Sequence, residues 1–192
     1  MSKRIALLSA AALGVLALTA AVVAPVAAQD KMKSEMSGEK TVMVGGAAMF
    51  PSKNIILNAV NSKDHTTLVA AVKAAGLVDT LEGKGPFTVF APTNAAFSKL
   101  PAGTVDNLLK PENKATLTKV LTYHVVPGKL EASDLTDGKK LKTVQGEDLT
   151  VKRSGDTVMI IDAKGDSATV TIPNVNQSNG VIHVIDTVLM PS

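Results

Sequence analysis

Side chains that could carry acid–base or metal chemistry are few in this chain, and they are scattered along it. The chain contains three histidines, His65, His124 and His183, and no cysteine. No two of these histidines lie at the short spacing of a metal-binding pair, and thiolate ligands and cysteine nucleophiles are excluded. The segment Asp64 to Thr67, which contains His65, is interpreted as a helix cap. We therefore predict neither a metal site nor a cofactor.

The sequence also lacks the patterns of serine-based and phosphate-binding enzymes. No serine lies in a Gly-x-Ser-x-Gly turn, and no glycine-rich phosphate loop is present. His183 and Asp186 are three residues apart in an apolar run, so a strand would place them on opposite faces. We predict that Asp186 is a buried carboxylate that accepts backbone hydrogen bonds. These observations predict a protein that is not an enzyme.

Four methionines near the start of the chain suggest one metal-binding alternative. Met32, Met36, Met43 and Met49 resemble the sparse thioether spacing of copper(I) carriers, because soft sulfur ligands suit that ion. Without a third closely spaced methionine or a nearby histidine, a polar linker that happens to contain methionine is the favoured interpretation.

The first residues are typical of a secretory signal. Lys3 and Arg4 precede an apolar stretch over 5–24, and the small residues 25–28 allow cleavage before the next residue. We therefore predict a signal peptide at residues 1–28 and a secreted protein, periplasmic or extracellular. An uncleaved anchor is the alternative, since about 20 apolar residues can span a bilayer.

The rest of the chain divides into a linker and one domain. Residues 29–46 are rich in Lys, Glu, Ser and Gly and predict a flexible linker, and residues 47–192 predict one domain. Loss of the signal leaves 18 basic against 17 acidic residues. A nearly neutral chain with no run of basic residues argues against a nucleic-acid partner, and no membrane span is expected after cleavage.

The clearest local signal is the stretch GPFTVFAPTNAAFSKL, which contains three of the four phenylalanines of the chain. Phe87 to Phe90 are aromatic or β-branched residues between two prolines, which predicts a short core strand. Pro92 ends the strand because it has no N–H to donate. Thr93 or Asn94 is predicted to cap the helix that follows.

Apolar residues recur at helical spacing in the first half of the domain. Ser52 and either Thr66 or Thr67 are predicted to begin helices, and Gly76 is predicted to end the second of them. A later apolar stripe, predicted to face the core, consists of Leu117, Val120 and Leu121.

The second half changes to the two-residue period of strands. Short apolar runs over 141–172, separated by glycine-containing turns, predict a meander of hairpins. The longer run over 181–190 predicts a central strand that is buried on both faces. Helices followed by strands predict an α+β fold.

Three segments together resemble the fasciclin domain family, in the order and spacing of that family. They are GPFTVFAPTNAAF at 85–97, LTYHVVPG at 121–128 and NGVIHVIDTVLMP at 179–191. The resemblance implies a bent β-sandwich wedge flanked by helices of the N-terminal half. It also implies a structural motif, which consists of Phe87, Phe90, Pro92, Thr93, Asn94, Asn179, Gly180 and Asp186.

The resemblance further implies a secreted or surface-associated adhesion or interaction module without enzymatic activity. Attachment, biofilm formation or host association is the expected context, with a protein or glycan at a cell surface or matrix as partner. Some secreted members bind a small lipophilic ligand such as a carotenoid or a lipid, and carriage of such a ligand is the alternative.

Tyr123 and His124 occupy the Tyr-His motif that is implicated in adhesion in animal members. They are the binding residues that the resemblance implies. His124 lies seven residues after Leu117, however, and this spacing favours an internal, hydrogen-bonded histidine. A second adhesive motif of animal members has an acidic residue where this chain has Asn174 and Val175, which predicts that integrin-type binding through that motif is lost.

Overall fold

The structure is a computed structural model that describes residues 40–192. Within this range, no helix is both long enough and apolar enough to cross a membrane. The predicted signal peptide at 1–28, and the predicted linker up to residue 39, lie outside the described residues.

A short hairpin opens the described part of the chain. Its antiparallel strands are β1 (Val42–Val44) and β2 (Ala47–Met49), and the last residue of each is buried. Gly45 and Gly46 form the turn with φ angles of 57° and 76°, a conformation that glycine adopts without strain. Part of this hairpin, residues 42–46, lies within the linker predicted at 29–46.

All α-helices among residues 40–192 precede residue 124, which confirms that the helices come from the N-terminal half. In chain order they are α1 (Ile55–Ala59), α2 (Thr66–Ala75), α3 (Val78–Glu82), α4 (Asn94–Ser98), α5 (Thr104–Leu108) and α6 (Lys114–Tyr123). Single turns of 3₁₀ helix at Lys63–His65 and Pro111–Asn113 lead into α2 and α6.

Most helix boundaries follow the predicted signals, but the caps of α1 and α2 differ from the prediction. His65, at the N-cap position of α2, makes no capping hydrogen bond with its side chain. The cap of α1 is Asn54, whose side-chain oxygen accepts a hydrogen bond of 2.8 Å from the Leu57 N–H, and not the predicted Ser52. Helix α2 begins at Thr66 and ends before Gly76, which is left-handed with φ of 73°. The predicted stripe of α6 is buried and consists of Leu117, Val120 and Leu121.

Seven further strands form one sheet. They are β3 (Phe87–Pro92), β4 (Val125–Pro127), β5 (Lys140–Lys142), β6 (Asp148–Ser154), β7 (Thr157–Ile161), β8 (Ser167–Gln177) and β9 (Gly180–Ile185). The spatial order is β4-β3-β9-β8-β7-β6-β5. Strands β3 and β9 are parallel, and the other neighbours are antiparallel.

This topology confirms both predictions about the second half of the chain. Strands β5 to β8 are consecutive antiparallel neighbours, as expected for a meander. Strand β9 lies inside the sheet and all six of its residues are buried. It ends at Ile185, so the predicted strand over 181–190 is too long at its C-terminal end.

The sheet curls until its two edge strands approach each other. The Val144 N–H, just after β5, donates a hydrogen bond of 2.8 Å to the Val125 carbonyl of β4. The sheet is therefore nearly closed, and it encloses one core on its inner side while the helices cover β3 and β9 on the other side.

Alternate residues of the central strands face these two cores. On β3, Val89 and Ala91 pack in the helical core, while Phe90 between them packs inside the curled sheet. On β9, Val184 and Ile185 divide in the same way. Both faces of these strands are thus buried, and the α+β class predicted from the sequence is confirmed.

Candidate functional site

Tyr123 and His124, the predicted binding residues, lie where α6 ends and the chain turns into β4. The exposed fraction of the residue is 0% for Tyr123 and 2% for His124. The sharp exit from the helix directs both side chains into the interior, so each must find its hydrogen-bond partners there.

His124 connects α6 to the segment after β9. Its Nδ1 donates to the Val120 carbonyl at 2.8 Å, and its Nε2 accepts from the Leu189 N–H at 3.0 Å. These bonds require the neutral ring with its proton on Nδ1. Burial lowers the pKa of His124 to about 4, although the Val120 carbonyl and the charge of Asp162 act in the opposite direction.

Tyr123 reaches the far side of the curled sheet with its hydroxyl. The oxygen accepts a hydrogen bond of 2.8 Å from the Ala163 N–H and lies 3.5 Å from the Asp148 carbonyl, to which it donates. Burial raises the pKa of Tyr123. The phenol thus joins α6 to β6 and to the turn between β7 and β8.

This geometry places the Tyr-His motif in the interior and leaves neither ring open to a partner. The internal, hydrogen-bonded His124 favoured by its sequence spacing is the arrangement that the structure has. Contact of either side chain with a partner would require α6 to separate from the sheet. A binding role of Tyr123 and His124 stays a prediction.

His183 lies on β9 with an exposed fraction of 0%. Its Nε2 donates to the Leu130 carbonyl at 2.8 Å, its Nδ1 accepts from the Asn174 N–H at 3.4 Å, and its ring stacks on Phe90 at 5.7 Å between centroids. Burial lowers the pKa of His183, with the Leu130 carbonyl and the charge of Glu131 opposing. The His183 ring thus joins β9 to the loop after β4, which contains Leu130.

His65 borders a small apolar cavity between the helices and the sheet. Its Nδ1 is 2.9 Å from the Ser62 hydroxyl, and its Nε2 has no hydrogen-bond partner among residues 40–192. Burial lowers the pKa of His65, and the nearby Ala91 carbonyl acts in the opposite direction. The cavity has a volume of about 40 Å³, and its lining includes Leu68 and Val184.

Asp186, the residue after β9, differs from the prediction. Asp186 accepts the Thr169 N–H at 2.8 Å, as predicted, but 40% of its side chain is exposed and it pairs with Lys99 at 3.4 Å. Partial burial acts to raise the pKa of Asp186, and the Thr169 N–H, the Thr187 hydroxyl and Lys99 together lower it. The prediction of a buried Asp186 is therefore wrong.

Asp162 is the buried carboxylate, and sequence reasoning missed it. Its two oxygens accept hydrogen bonds of 2.9 to 3.0 Å from the backbone N–H groups of Lys164, Asp166 and Met190. The turn Asp-Ala-Lys-Gly-Asp was a signal for this, because an aspartate that opens a turn bonds the backbone two to four residues later.

The polar residues after β3 cap two different helices. The Thr93 hydroxyl accepts the Ala96 N–H at 3.2 Å and caps α4, the helix that follows. Asn94 instead caps α2, because its Oδ1 accepts the Thr67 N–H at 3.1 Å and its Nδ2 donates to the Lys63 carbonyl at 2.8 Å. The sequence predicts Thr93 or Asn94 as the cap of one helix, the helix that follows β3.

Asn179 and Gly180 hold the entry to the two parallel strands. The Asn179 side chain donates to the carbonyls of Leu81 and Gly83 and accepts the Ile55 N–H at 3.1 Å, which joins α1 and α3 to the sheet. Gly180 lies against the Phe87 carbonyl so closely that any Cβ would collide with it. Both residues therefore have structural roles.

The remaining predicted positions form no ligand site. Asn174 has φ of 56° and its Oδ1 accepts the Ala132 N–H at 2.7 Å, while Val175 is buried. Met43 is 59% exposed and Met49 is buried, on opposite faces of the first hairpin, and the other two methionines lie outside the described residues. Among residues 40–192, no group of three His, Asp or Glu side chains could hold a metal ion.

Known proteins are similar to this chain over most of its length. Over 153 residues the chain is 50% identical to protein sll1483 of Synechocystis sp., with 80% of this chain and 82% of that protein covered. It is 42% identical to the cell surface glycolipoprotein MPB83 of Mycobacterium bovis over 153 residues, which cover 77% of this chain and 64% of MPB83.

The fold also matches a solved structure, that of a FAS1 domain pair from the insect cell adhesion molecule Fasciclin I. The TM-score is 0.65 at 20% identity, over 73% of this chain and 52% of the insect chain. The model of the Fasciclin domain matches residues 63–191, which is more than half of the chain. The chain therefore belongs to the fasciclin domain family.

Proposed function

We propose that this chain is a secreted or cell-surface interaction module without catalytic activity, which attaches to a protein or glycan. The observation that carries this proposal is the position of its histidines. The chain has three histidines and no cysteine, and all three histidines are buried. The surface of the domain therefore offers no imidazole or thiol, the groups that most often act as a general base or nucleophile near neutral pH.

The buried polar side chains support the same proposal. Tyr123, His124, His183 and Asp162 each bond backbone groups of other elements. Their chemistry stabilises the fold, because removing a buried partner costs about 1–3 kcal/mol. Relatives support a surface location, since the name of one of them, MPB83, describes a cell surface glycolipoprotein.

Multivalent attachment is the measurement that tests this function. A single domain makes one weak contact, so beads that carry many copies should adhere far better than beads that carry few. Beads coated with the purified chain at high density should bind cells or matrix of the producing organism, and beads coated with the heat-denatured chain should not. Equal binding of the native and denatured coats, or no binding on any matrix, would contradict the proposal.

Carriage of a lipophilic ligand is the second candidate, and the apolar cavity beside His65 is the observation that favours it. Its volume of about 40 Å³ is far below the roughly 300 Å³ at the lower end of ligand pockets. A carotenoid or lipid would therefore have to move α1 and α2 away from the sheet. Native mass spectrometry of the chain purified from its own organism tests this, and a bound lipophile would favour carriage over attachment.

A further inference from the structure

The outward face of strands β5 to β8 carries exposed polar and charged side chains. Successive residues of these strands alternate between the inner core and solvent. The inward residues Leu141, Leu149, Val151, Ile160 and Ala168 are buried. Their neighbours point outward, and cross-strand pairing fixes which of them are adjacent.

Three lysines form a row on this outward face. Lys142 and Lys140 are two residues apart on β5, and Lys140 pairs with Thr150, which is two residues before Lys152 on β6. Standard strand spacings place the first two about 7 Å apart and the last about 8 Å further along a diagonal. We call Lys142, Lys140 and Lys152 the lysine row.

The charges of the lysine row are available to a partner. All three residues are exposed, and none of them forms an ion pair with another residue of the described range 40–192. Asp148 lies opposite Lys142 and is the one acidic residue that the strand pairing places among these positions. Asp156 and Asp166 lie in turns beyond the strand ends, and the carboxylate of Asp137, before β5, accepts a hydrogen bond of 2.8 Å from the Arg153 N–H next to Lys152. The face therefore has an excess of positive charge.

Hydroxyl groups surround the lysine row. The outward positions paired across β6, β7 and β8 are rich in threonine and serine, and they consist of Thr150, Ser154, Thr157, Ser167 and Thr169 together with Met159 and Ile161. Both apolar residues are half-buried, and none of these positions is aromatic. Ammonium and hydroxyl groups both donate hydrogen bonds to anionic oxygens.

From this arrangement we propose that the outward face of β5 to β8 binds an anionic polysaccharide, with its carboxylate or sulfate groups along the lysine row. Charges spaced over about 15 Å along the outer face of the curled sheet fit an extended polymer chain better than a compact ion. Among the outward positions of β5 to β8, no large apolar or aromatic side chain is exposed, and Val144, just beyond β5, is a single valine that is 46% exposed. This disfavours insertion of the face into a lipid surface. The lack of aromatic side chains also disfavours base stacking with single-stranded nucleic acid.

This inference rests on the proposed attachment function and names the class of its partner. The two can fail separately. If coated beads adhere to cells but the chain does not bind polysaccharide, attachment stands and the partner class is wrong.

The test compares two triple variants of the full chain. Lys140→Ser, Lys142→Ser and Lys152→Ser together remove the lysine row. The matched control, Lys73→Ser, Lys84→Ser and Lys114→Ser, removes the same charge from exposed lysines on the helical side of the domain. Thermal unfolding of both variants establishes that they are folded.

Five probes are measured by biolayer interferometry in about 50 mM and about 300 mM NaCl. They are polygalacturonate and dextran sulfate as anionic polysaccharides, neutral dextran, duplex DNA and phosphatidylglycerol vesicles. We expect the wild-type chain and the control to bind both anionic polysaccharides, and the lysine-row variant to bind them about tenfold more weakly. Binding should weaken with salt, and neutral dextran should not bind.

Several outcomes would overturn the proposal. An equal loss in both triple variants would mean that only the net charge matters. Tighter binding to DNA or to the vesicles than to either polysaccharide would assign the face to another class of partner. No measurable binding of the wild-type chain to either polysaccharide at low salt would remove the inference entirely.

Discussion

The Nε2 atom of His124 accepts a hydrogen bond of 3.0 Å from the backbone N–H of Leu189, 65 residues later in the chain. This bond fastens the segment after β9 against the end of α6, and it exists only while the ring is neutral. Because burial lowers the pKa of His124 to about 4, the fold keeps the ring neutral well below the pH at which an exposed histidine gains a proton.

The stability of the domain should therefore decrease as the solution becomes acidic. In the unfolded chain His124 has its ordinary pKa of about 6.5, so between pH 6.5 and 4 the unfolded state binds more protons than the folded state. The stabilisation is complete above about pH 6.5 and is lost as the pH falls toward 4, by up to about 3 kcal/mol. Burial lowers the pKa values of His65 and His183 as well, which adds to the same trend.

Urea unfolding at pH 7 and at about pH 5 measures this dependence. His124→Gln keeps one donor and one acceptor but does not titrate, so its free energy of unfolding should change less between the two pH values than that of the wild type. If the variant loses as much stability as the wild type between pH 7 and 5, His124 is not the residue responsible.

Phe90→Ala should destabilise the domain by about 3–5 kcal/mol. Phe90 has an exposed fraction of 0%, and its ring stacks on His183 inside the curled sheet. Denaturant unfolding of the variant measures the loss. Thr157→Ala, at an exposed position of β7, is the control and should change stability by less than about 1 kcal/mol. Near-wild-type stability of Phe90→Ala would show that the strand is not central to the core.

Asn94→Ala should cost about 1–2 kcal/mol, because the N-terminus of α2 loses its cap. The loss should open α2 locally, and hydrogen exchange should show faster exchange of the Thr67 and Leu68 amides. Thr93→Ala is the matched comparison, since it removes the cap of α4 and should leave the α2 amides protected. Faster exchange in α4 rather than α2 of the Asn94 variant would contradict the assignment.

Tyr123→Phe separates a structural role of the Tyr-His motif from a binding role. The variant keeps the buried ring and loses the hydrogen bond from the Ala163 N–H, so we expect a cost of about 1–3 kcal/mol in stability. Attachment of coated beads should be unchanged at a temperature where the variant is folded. Loss of attachment by a fully folded variant would show that the hydroxyl contacts the partner.

Much of the fold follows from local patterns in the sequence. Residues Phe87 to Phe90 form the predicted strand, Gly76 ends α2, and Thr93 caps α4, because each of these signals acts on its immediate neighbours. One prediction that failed concerns a distant contact. Asn94 caps a helix that lies 27 residues earlier in the chain, and no local pattern indicates that partnership.

The lysine row could not be predicted from the sequence for the same reason. The buried Leu141 separates Lys140 from Lys142, and Lys152 lies ten residues after Lys142 in the sequence. They become neighbours only when β5 pairs with β6 in the observed register. The prediction that Asp186 is buried failed because its apolar neighbours suggested a longer strand, whereas β9 ends one residue before it.

The hydrogen bond between Val144 and Val125 protects the edges of the sheet from pairing with other molecules. An open sheet exposes rows of unpaired backbone groups at its edges, and these can recruit strands of other molecules into aggregates. Here β4 and β5, the two edge strands, are each three residues long and are bridged to one another. Many copies of the domain can therefore be packed side by side on a surface with little tendency to join their sheets into fibrils.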